Sequence, residues 1–214
     1  MKLLSINVGM PRDIDWRGET IRTSIFKAPV SGAVRVRTLN LDGDRQADVS
    51  VHGGRDKAVY AYPSEHYAYW RTALPVTDLT WGAFGENVTT EGLLEDRLYI
   101  GDRLRVGSAE FIVTQPRMPC FKLGIRFGRA DMVKRFQRSG RTGFYLAVFR
   151  EGDVIARDAF ELTARDPHGI TVADITNLFT GASRSHDLLR RASELPALPE
   201  DWRNYFRKRL SSGV

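Results

Sequence analysis

The stretch from Arg97 to Arg117, RLYIGDRLRVGSAEFIVTQPR, constrains the fold more than any other. It breaks into three short apolar or β-branched runs separated by turn pairs at Gly101-Asp102 and Gly107-Ser108, which predicts a meander of strands and not a βαβ unit. The same pattern runs through most of the chain. Leu3 to Val8, Ile21 to Phe26 and Val34 to Leu39 are strand-like runs bounded by Gly9, Pro11, Gly18, Pro29, Gly32 and Gly43. The Gly- and Asp-rich loop Leu41 to Pro63 feeds a strand at Ala58 to Tyr62, and Trp81 to Leu93 reads as a glycine loop with a short strand inside it. Phe144 to Phe149, a turn at Glu151-Gly152-Asp153 and a run ending near Leu162 complete the β part. Helices there are short. Ser64 predicts an N-cap ahead of Tyr67, Trp70 and Leu74 at helical spacing, and Asp131 to Gln137 predicts a turn or two closed by Gly140. Many short strands at regular spacing predict a mainly β fold, a barrel or a highly curved sheet, with short peripheral helices.

The character changes at Asp166-Pro167-His168-Gly169, which divides a β domain, 1–165, from a helical domain, 166–214. Thr171 with Asp174 has the spacing of a capping box, and Val172, Ile175 and Phe179 follow at helical spacing up to Gly181. A second helix carries Leu188, Leu189, Ala192 and Leu195 and stops before Pro196. A third starts near Pro199 with Trp202, Tyr205, Phe206 and Leu210 on one face. Three short amphipathic helices bury too little apolar surface to stand alone. They are expected to pack on the β domain or on a second copy of the chain, and the second arrangement would make a homodimer.

Composition narrows the function classes. One cysteine in 214 residues makes an intramolecular disulfide impossible and gives no sign of an oxidising compartment. The opening MKLLSINVGM has no sustained apolar run, and no stretch is long enough to span a bilayer, so a cytoplasmic protein is expected. A formal net charge of +6 favours anionic partners: a phosphorylated cofactor, an acidic protein or nucleic acid. The densest basic cluster, Arg203, Arg207, Lys208 and Arg209, reads as a solvated helix face.

The chemistry-bearing stretch is Gln115 to Leu123, QPRMPCFKL. Pro116 and Pro119 predict a stiff extended turn that holds Cys120 in a set direction between Arg117 and Lys122. Two nearby cations favour the thiolate, the form that attacks electrophiles and binds soft metals. A lone cysteine is also commonly just a small buried hydrophobe, and from these residues the two readings stand side by side. His52, His66, His168 and His186 lack zinc-site spacing, and Gly53 to Arg55 and Gly82 to Gly85 match neither a P-loop nor a dinucleotide fingerprint. His52, Gly53 and Gly54 form either a tight turn or a place where backbone N–H groups approach a ligand. Asn87 can offer a donor and an acceptor to a heterocycle, or can cap a turn. Arg22, Thr23 and Lys27 are exposed strand polarity unless the fold brings them to the cysteine turn.

The ordered blocks IRTSIFK, LDGDRQAD, VHGGRDKAVYAYP, FGENVTTEGL, IGDRLRVGSAEFIVTQPRMPCFKL and GRTGFYLAV together resemble the MOSC domain family, named for the C-terminal domain of molybdenum cofactor sulfurases. The final helices resemble the three-helix extension of its bacterial YiiM subfamily. The resemblance covers nearly the whole chain. It implies a MOSC-type β-barrel that binds the molybdenum cofactor, Mo-molybdopterin, with Cys120 ligating molybdenum or carrying sulfur. It implies Asn87 near the pterin and Arg22 and Thr23 by the active site or the cofactor phosphate. Lys27, Arg117, Lys122, His52, Gly53 and Gly54 are the further candidates for cofactor contact. The implied activity is reduction of N-hydroxylated compounds such as 6-hydroxylaminopurine, with electrons from a separate reductase. The departing oxygen needs a general acid, for which Lys122, Asp56 and His52 are candidates. Two other readings remain: sulfur transfer through a Cys120 persulfide, and a basic β-barrel binding single-stranded nucleic acid, which gives the cysteine turn no role. No nucleic-acid or membrane partner is expected on the first reading.

Overall fold

The computed structural model describes residues 1–48, 53–75 and 78–212. Its strands are β1 Lys2–Val8, β2 Arg12–Trp16, β3 Glu19–Thr23, β4 Ala28–Val30, β5 Val34–Val36 and β6 Val59–Pro63. They continue with β7 Val88–Glu91, β8 Arg103–Val106, β9 Ala109–Pro116, β10 Phe144–Arg150, β11 Gly152–Val154 and β12 Phe160–Ala164. Eight of them form one sheet in the order β12-β8-β9-β10-β6-β7-β1-β4, while β2 with β3 and β5 with β11 make separate two-stranded pairs. Pairing is antiparallel except between β6 and β7.

The mainly β class expected from the sequence is what the structure has, but the barrel is not a closed ladder. Among the described residues it closes only around the bridge from Lys2 to Ala159, where the Leu3 N–H donates to the Asp158 carbonyl at 2.9 Å, the Arg157 N–H to the Leu3 carbonyl at 2.6 Å and the Phe160 N–H to the Met1 carbonyl at 3.1 Å. Closure stops there because β4 occupies the same edge of β1 farther along, at Ile6, Asn7 and Val8. The meander also has two strands where three were expected. Leu98 to Ile100 instead exchanges hydrogen bonds with the entry to the helical segment: the Ile100 N–H donates to the Ile170 carbonyl at 2.9 Å and the Val172 N–H to the Leu98 carbonyl at 3.0 Å. In the same way the run Ile21 to Phe26 is strand only to Thr23, and the run Val34 to Leu39 only to Val36.

Alternation on the central strands separates two cores. Val59 and Ala61 of β6 and Phe144, Leu146 and Val148 of β10 point into an aliphatic cluster that continues to the C-terminal helices. Tyr60 and Tyr62 of β6 point the other way, into an aromatic cluster with Tyr67, Trp70, Phe84 and Phe136, against which Tyr145 of β10 packs. Both faces of these strands are therefore buried, as the fully buried pattern of β6 requires. The aromatic cluster is roofed by α1 Glu65–Ala73, α2 Phe121–Phe127 and α3 Met132–Ser139.

The tail forms α4 Val172–Thr180, α5 His186–Glu194 and α6 Glu200–Ser211. Thr171 caps α4 as the spacing predicted, its hydroxyl accepting from the Asp174 N–H while the Asp174 carboxylate accepts from the Thr171 N–H, both at 2.9 Å. The helices pack on the sheet within this chain: Ile175, Leu178, Leu189, Leu195 and Phe206 belong to the same apolar cluster as the strands, and Trp202 Nε1 donates to Gln115 Oε1 of β9 at 2.7 Å. Among the described residues no helix is long and apolar enough to cross a membrane.

Thr171→Ala removes one half of the capping box and is expected to lower stability by about 1 kcal/mol. Urea denaturation with an unchanged slope checks this; an unaltered midpoint would show that the box contributes nothing to the docked helix.

Candidate functional site

A cleft of about 600 Å³, counting its open mouth, lies at the edge of the aromatic cluster. Thr23, Lys27, Asn87, Arg117, Cys120 and Lys122, six of the residues singled out from the sequence, line it together. Six further lining residues carry polar groups: Ser24, Asp44, Gln46, Lys57, Tyr60 and Tyr145.

Cys120 arrives there by a route only partly visible in the sequence. β9 and β10 slip register between the pairs Tyr145–Gln115 and Leu146–Val113, leaving Thr114 as the extra residue of a bulge. The Thr114 hydroxyl donates to the Asp56 carbonyl at 2.7 Å, which anchors the strand end before it leaves the sheet at Pro116. The predicted extended turn occupies residues 117–120. It is shorter than expected, because Phe121 begins α2, with the Leu123 N–H donating to the Cys120 carbonyl at 3.0 Å. Cys120 is half-buried.

Arg117 is the unusual group. The residue is 6% exposed, its guanidinium carbon lies 4.8 Å from the Tyr60 ring centre and 5.2 Å from that of Phe136, and Nη1 has no hydrogen-bond partner. Among the described residues it makes no ion pair with a carboxylate. Burial alone would push it toward the neutral form, but the Tyr60 and Tyr145 phenols and the Cys120 sulfur outweigh this and hold it charged. Ser24 Oγ, a second buried polar atom lining the same cleft, also lacks a partner. A buried donor left without an acceptor costs about 1–3 kcal/mol, and an acceptor entering this cleft could relieve that cost for both residues.

The opposite wall is held by two buried carboxylates. Asp44 accepts from the Gly9 N–H at 2.8 Å and from Asn87 Nδ2 at 2.8 Å, and pairs with Lys27 Nζ. Burial lowers the Lys27 pKa, and Asp44 and then Glu86 partly offset that. Glu86 accepts from the Gly82 N–H at 2.8 Å, the Phe84 N–H at 3.0 Å, the Thr89 hydroxyl at 3.0 Å and the Tyr67 hydroxyl. Burial nonetheless raises its pKa above the usual carboxylate range. Gly82 and Gly85, both at positive φ, let this loop lie against the Ile25–Lys27 segment: a Cβ on Gly82 would sit 2.9 Å from the Lys27 carbonyl and one on Gly85 2.9 Å from Ile25 Cγ1.

Several sequence candidates fall elsewhere. Arg22 does not line the cleft; it projects from the exposed β2–β3 hairpin and pairs with Asp13 at 3.1 Å. Gly53 and Gly54 do not line it either. Gly54, at φ 91°, turns the chain into the 3-10 turn Arg55–Lys57, and that turn delivers Lys57. Asp56 is exposed and is not a lining residue, and His52 lies outside the described residues. The Asn87 amide is already engaged on both sides, since Oδ1 accepts from the Tyr60 N–H at 3.1 Å. Its primary role is therefore to fix the wall. Lys57 and Asp44 were missed because neither sits in a chemistry-bearing sequence pattern, although the LDGDRQAD block contained Asp44.

Residues 48–161 match the MOSC domain model and residues 170–213 the model of the YiiM-like, 3-alpha helix domain. The chain is 41% identical over 207 residues to the uncharacterized protein YflK of Bacillus subtilis, covering 97% of this chain and 93% of that one. It is 32% identical over 197 residues to a protein named reductase from Gibberella moniliformis, covering 91% of this chain but only 35% of that longer protein. The crystal structure of YiiM from Geobacillus stearothermophilus superposes with a TM-score of 0.82 at 33% identity, covering 98% of each chain.

Asp44→Asn breaks a buried pair and is expected to destabilise the fold by about 3–5 kcal/mol at neutral pH, with Lys27→Met in the same chain recovering part of that. The Lys27 pKa is lowered on folding, so the unfolded chain holds more protons there and stability rises with pH. The deficit of the single variant should therefore shrink as pH approaches the ordinary lysine range. Denaturation at pH 7 and pH 9.5 measures it, and a constant deficit would contradict the charge assignment.

Proposed function

Because the chain belongs to the MOSC domain family and carries the YiiM-like 3-alpha helix domain, we propose that its cleft binds the molybdenum cofactor and reduces N-hydroxylated compounds of the 6-hydroxylaminopurine type. The relative named reductase supports the reaction class. The observation that carries the reading is the buried Arg117 guanidinium, with a donor lacking any acceptor, beside a half-buried cysteine in one open cleft.

The residues present fit such a group. Among the described residues no three His, Cys, Asp or Glu side chains converge as a metal-ion site, so a metal held here has to bring most of its own ligands. Molybdopterin does that through its dithiolene, and Cys120 is the one soft protein donor that could complete the set. The cofactor is anionic through its phosphate, and Arg117, Lys57, Lys122 and the Ser24 hydroxyl offer donors for anionic oxygen. When bound, the molybdenum centre supplies two-electron chemistry at oxygen. The protein supplies position. Arg117 is fixed by the Tyr60 and Phe136 rings, Asn87 and Asp44 hold the wall, and the half-enclosed cleft limits the water around the reacting N–O group. Electrons come from a separate electron-transfer reductase.

Molybdenum content is to be measured on protein made in a host that synthesises the cofactor, beside Cys120→Ala and Arg117→Met. The wild type is expected to carry molybdenum and to reduce 6-hydroxylaminopurine with a chemical electron donor. Cys120→Ala should lose turnover, and Arg117→Met should lose cofactor. Wild type without molybdenum would overturn the reading. Turnover that persists in Cys120→Ala would remove the cysteine from the reaction, and a persulfide on wild-type Cys120 without reductase activity would favour sulfur transfer.

A further inference from the structure

Resting on the reductase reading, we propose that Lys27 donates the proton that lets the hydroxyl oxygen depart, with Asp44 as its positioning residue. Reduction of R–NH–OH takes two electrons and two protons: the N–O bond breaks, the nitrogen leaves as R–NH₂ and the oxygen as water. The electrons are those of the separate electron-transfer reductase. Lys27 gives one proton to the departing oxygen and regains it from solvent through the open cleft, and solvent supplies the second. Nothing in the sequence singled out this role; the candidates there were Lys122, Asp56 and His52.

Three features separate Lys27 from the other groups in the cleft. It is the most enclosed of the lining lysines, with 8% of its side chain exposed against the half-buried Lys57 and Lys122. Its position is set: Nζ pairs with an Asp44 carboxylate itself held by Gly9 and Asn87, so the ammonium is presented to the cleft without a search over rotamers. Its surroundings also favour giving up a proton. Burial disfavours the ammonium, and the carboxylates that oppose this are Asp44 in contact and Glu86 farther off. Tyr60 is a poorer donor, because its hydroxyl already donates to the Thr142 carbonyl at 2.8 Å and burial lifts its pKa far up.

Lys27→Arg tests the assignment. Arginine keeps the charge and the pair with Asp44 but does not release a proton at working pH. With reduced methyl viologen as donor, turnover is expected to fall about 10²–10⁴-fold while molybdenum content stays at the wild-type level. In the cofactor-free protein, NMR of methylated lysines should show Lys27 titrating below the other lysines, and lower still in Asp44→Asn. Lys27→Ala should be inactive and partly restored by methylammonium, in proportion to its concentration. Turnover of Lys27→Arg within about threefold of wild type would overturn the proposal, since a proton donor contributes at least a hundredfold. So would loss of molybdenum from Lys27→Arg, or a Lys27 signal that titrates with the bulk lysines. If the wild type itself reduces nothing, the reductase reading fails and this assignment with it; if only the variant data disagree, the reductase reading survives alone.

Discussion

Buried charge needs partners, and the cleft takes its shape from how two carboxylates meet that need. Asp44 joins three segments distant in sequence, Gly9 after β1, Lys27 before β4 and Asn87 before β7. One residue away Glu86 gathers the Gly82 and Phe84 amides with the Thr89 and Tyr67 hydroxyls. From there the network runs inward, with Asn7 Nδ2 donating to Thr89 Oγ1 at 3.1 Å and Ser5 Oγ to Asn7 Oδ1 at 2.8 Å. A fully satisfied buried network specifies one arrangement, because any displacement strands a charge in low dielectric. This is why loops with almost no regular structure can form a rigid wall.

The fold was readable where a local pattern decided it. Turn pairs in the meander, the capping box at Thr171 and the glycine stop at Gly140 act over four or five residues, and each stands where the sequence put it. Elements decided by tertiary partners were not readable. The Leu98–Ile100 run has the composition of a strand but finds only the short segment 170–172 to pair with. Of the local hairpin β2–β3 only the end of β3 was read, because its largely polar residues leave little apolar signal.

The site shows the same division. Cys120, Arg117 and Lys122 were legible because they are contiguous, and a rigid stretch carries them together whatever the topology. Asp44, Lys57 and Tyr145 reach the cleft only through the fold: Tyr145 stands opposite Tyr60 because β10 pairs with β6 in that register, and a slip of β10 by one residue would turn Tyr145 toward the aliphatic core. Arg22 shows the converse. It is the neighbour of the lining residue Thr23 in sequence, but successive side chains of a strand point to opposite faces, so Thr23 is buried and Arg22 goes to solvent.

What remains is why a guanidinium can sit in this core without a carboxylate. Both faces of β6 are covered, and the face toward the cleft is aromatic where the other is aliphatic. Ring faces attract a cation by about 0.5–2 kcal/mol each when desolvated, so Tyr60 and Phe136 reduce the cost of burying Arg117 without neutralising it. An aspartate in place of either ring would stabilise the arginine more and leave no charge for a ligand. The two carboxylates close to the cleft are kept from that role by their own partners, Asp44 by Lys27 and Asn87, and Glu86 by neutral donors that leave it fully engaged. The excess of positive charge lining the cleft therefore follows from where the negative charges are tied down, and an acceptor entering from solvent can complete the hydrogen bonding of Arg117.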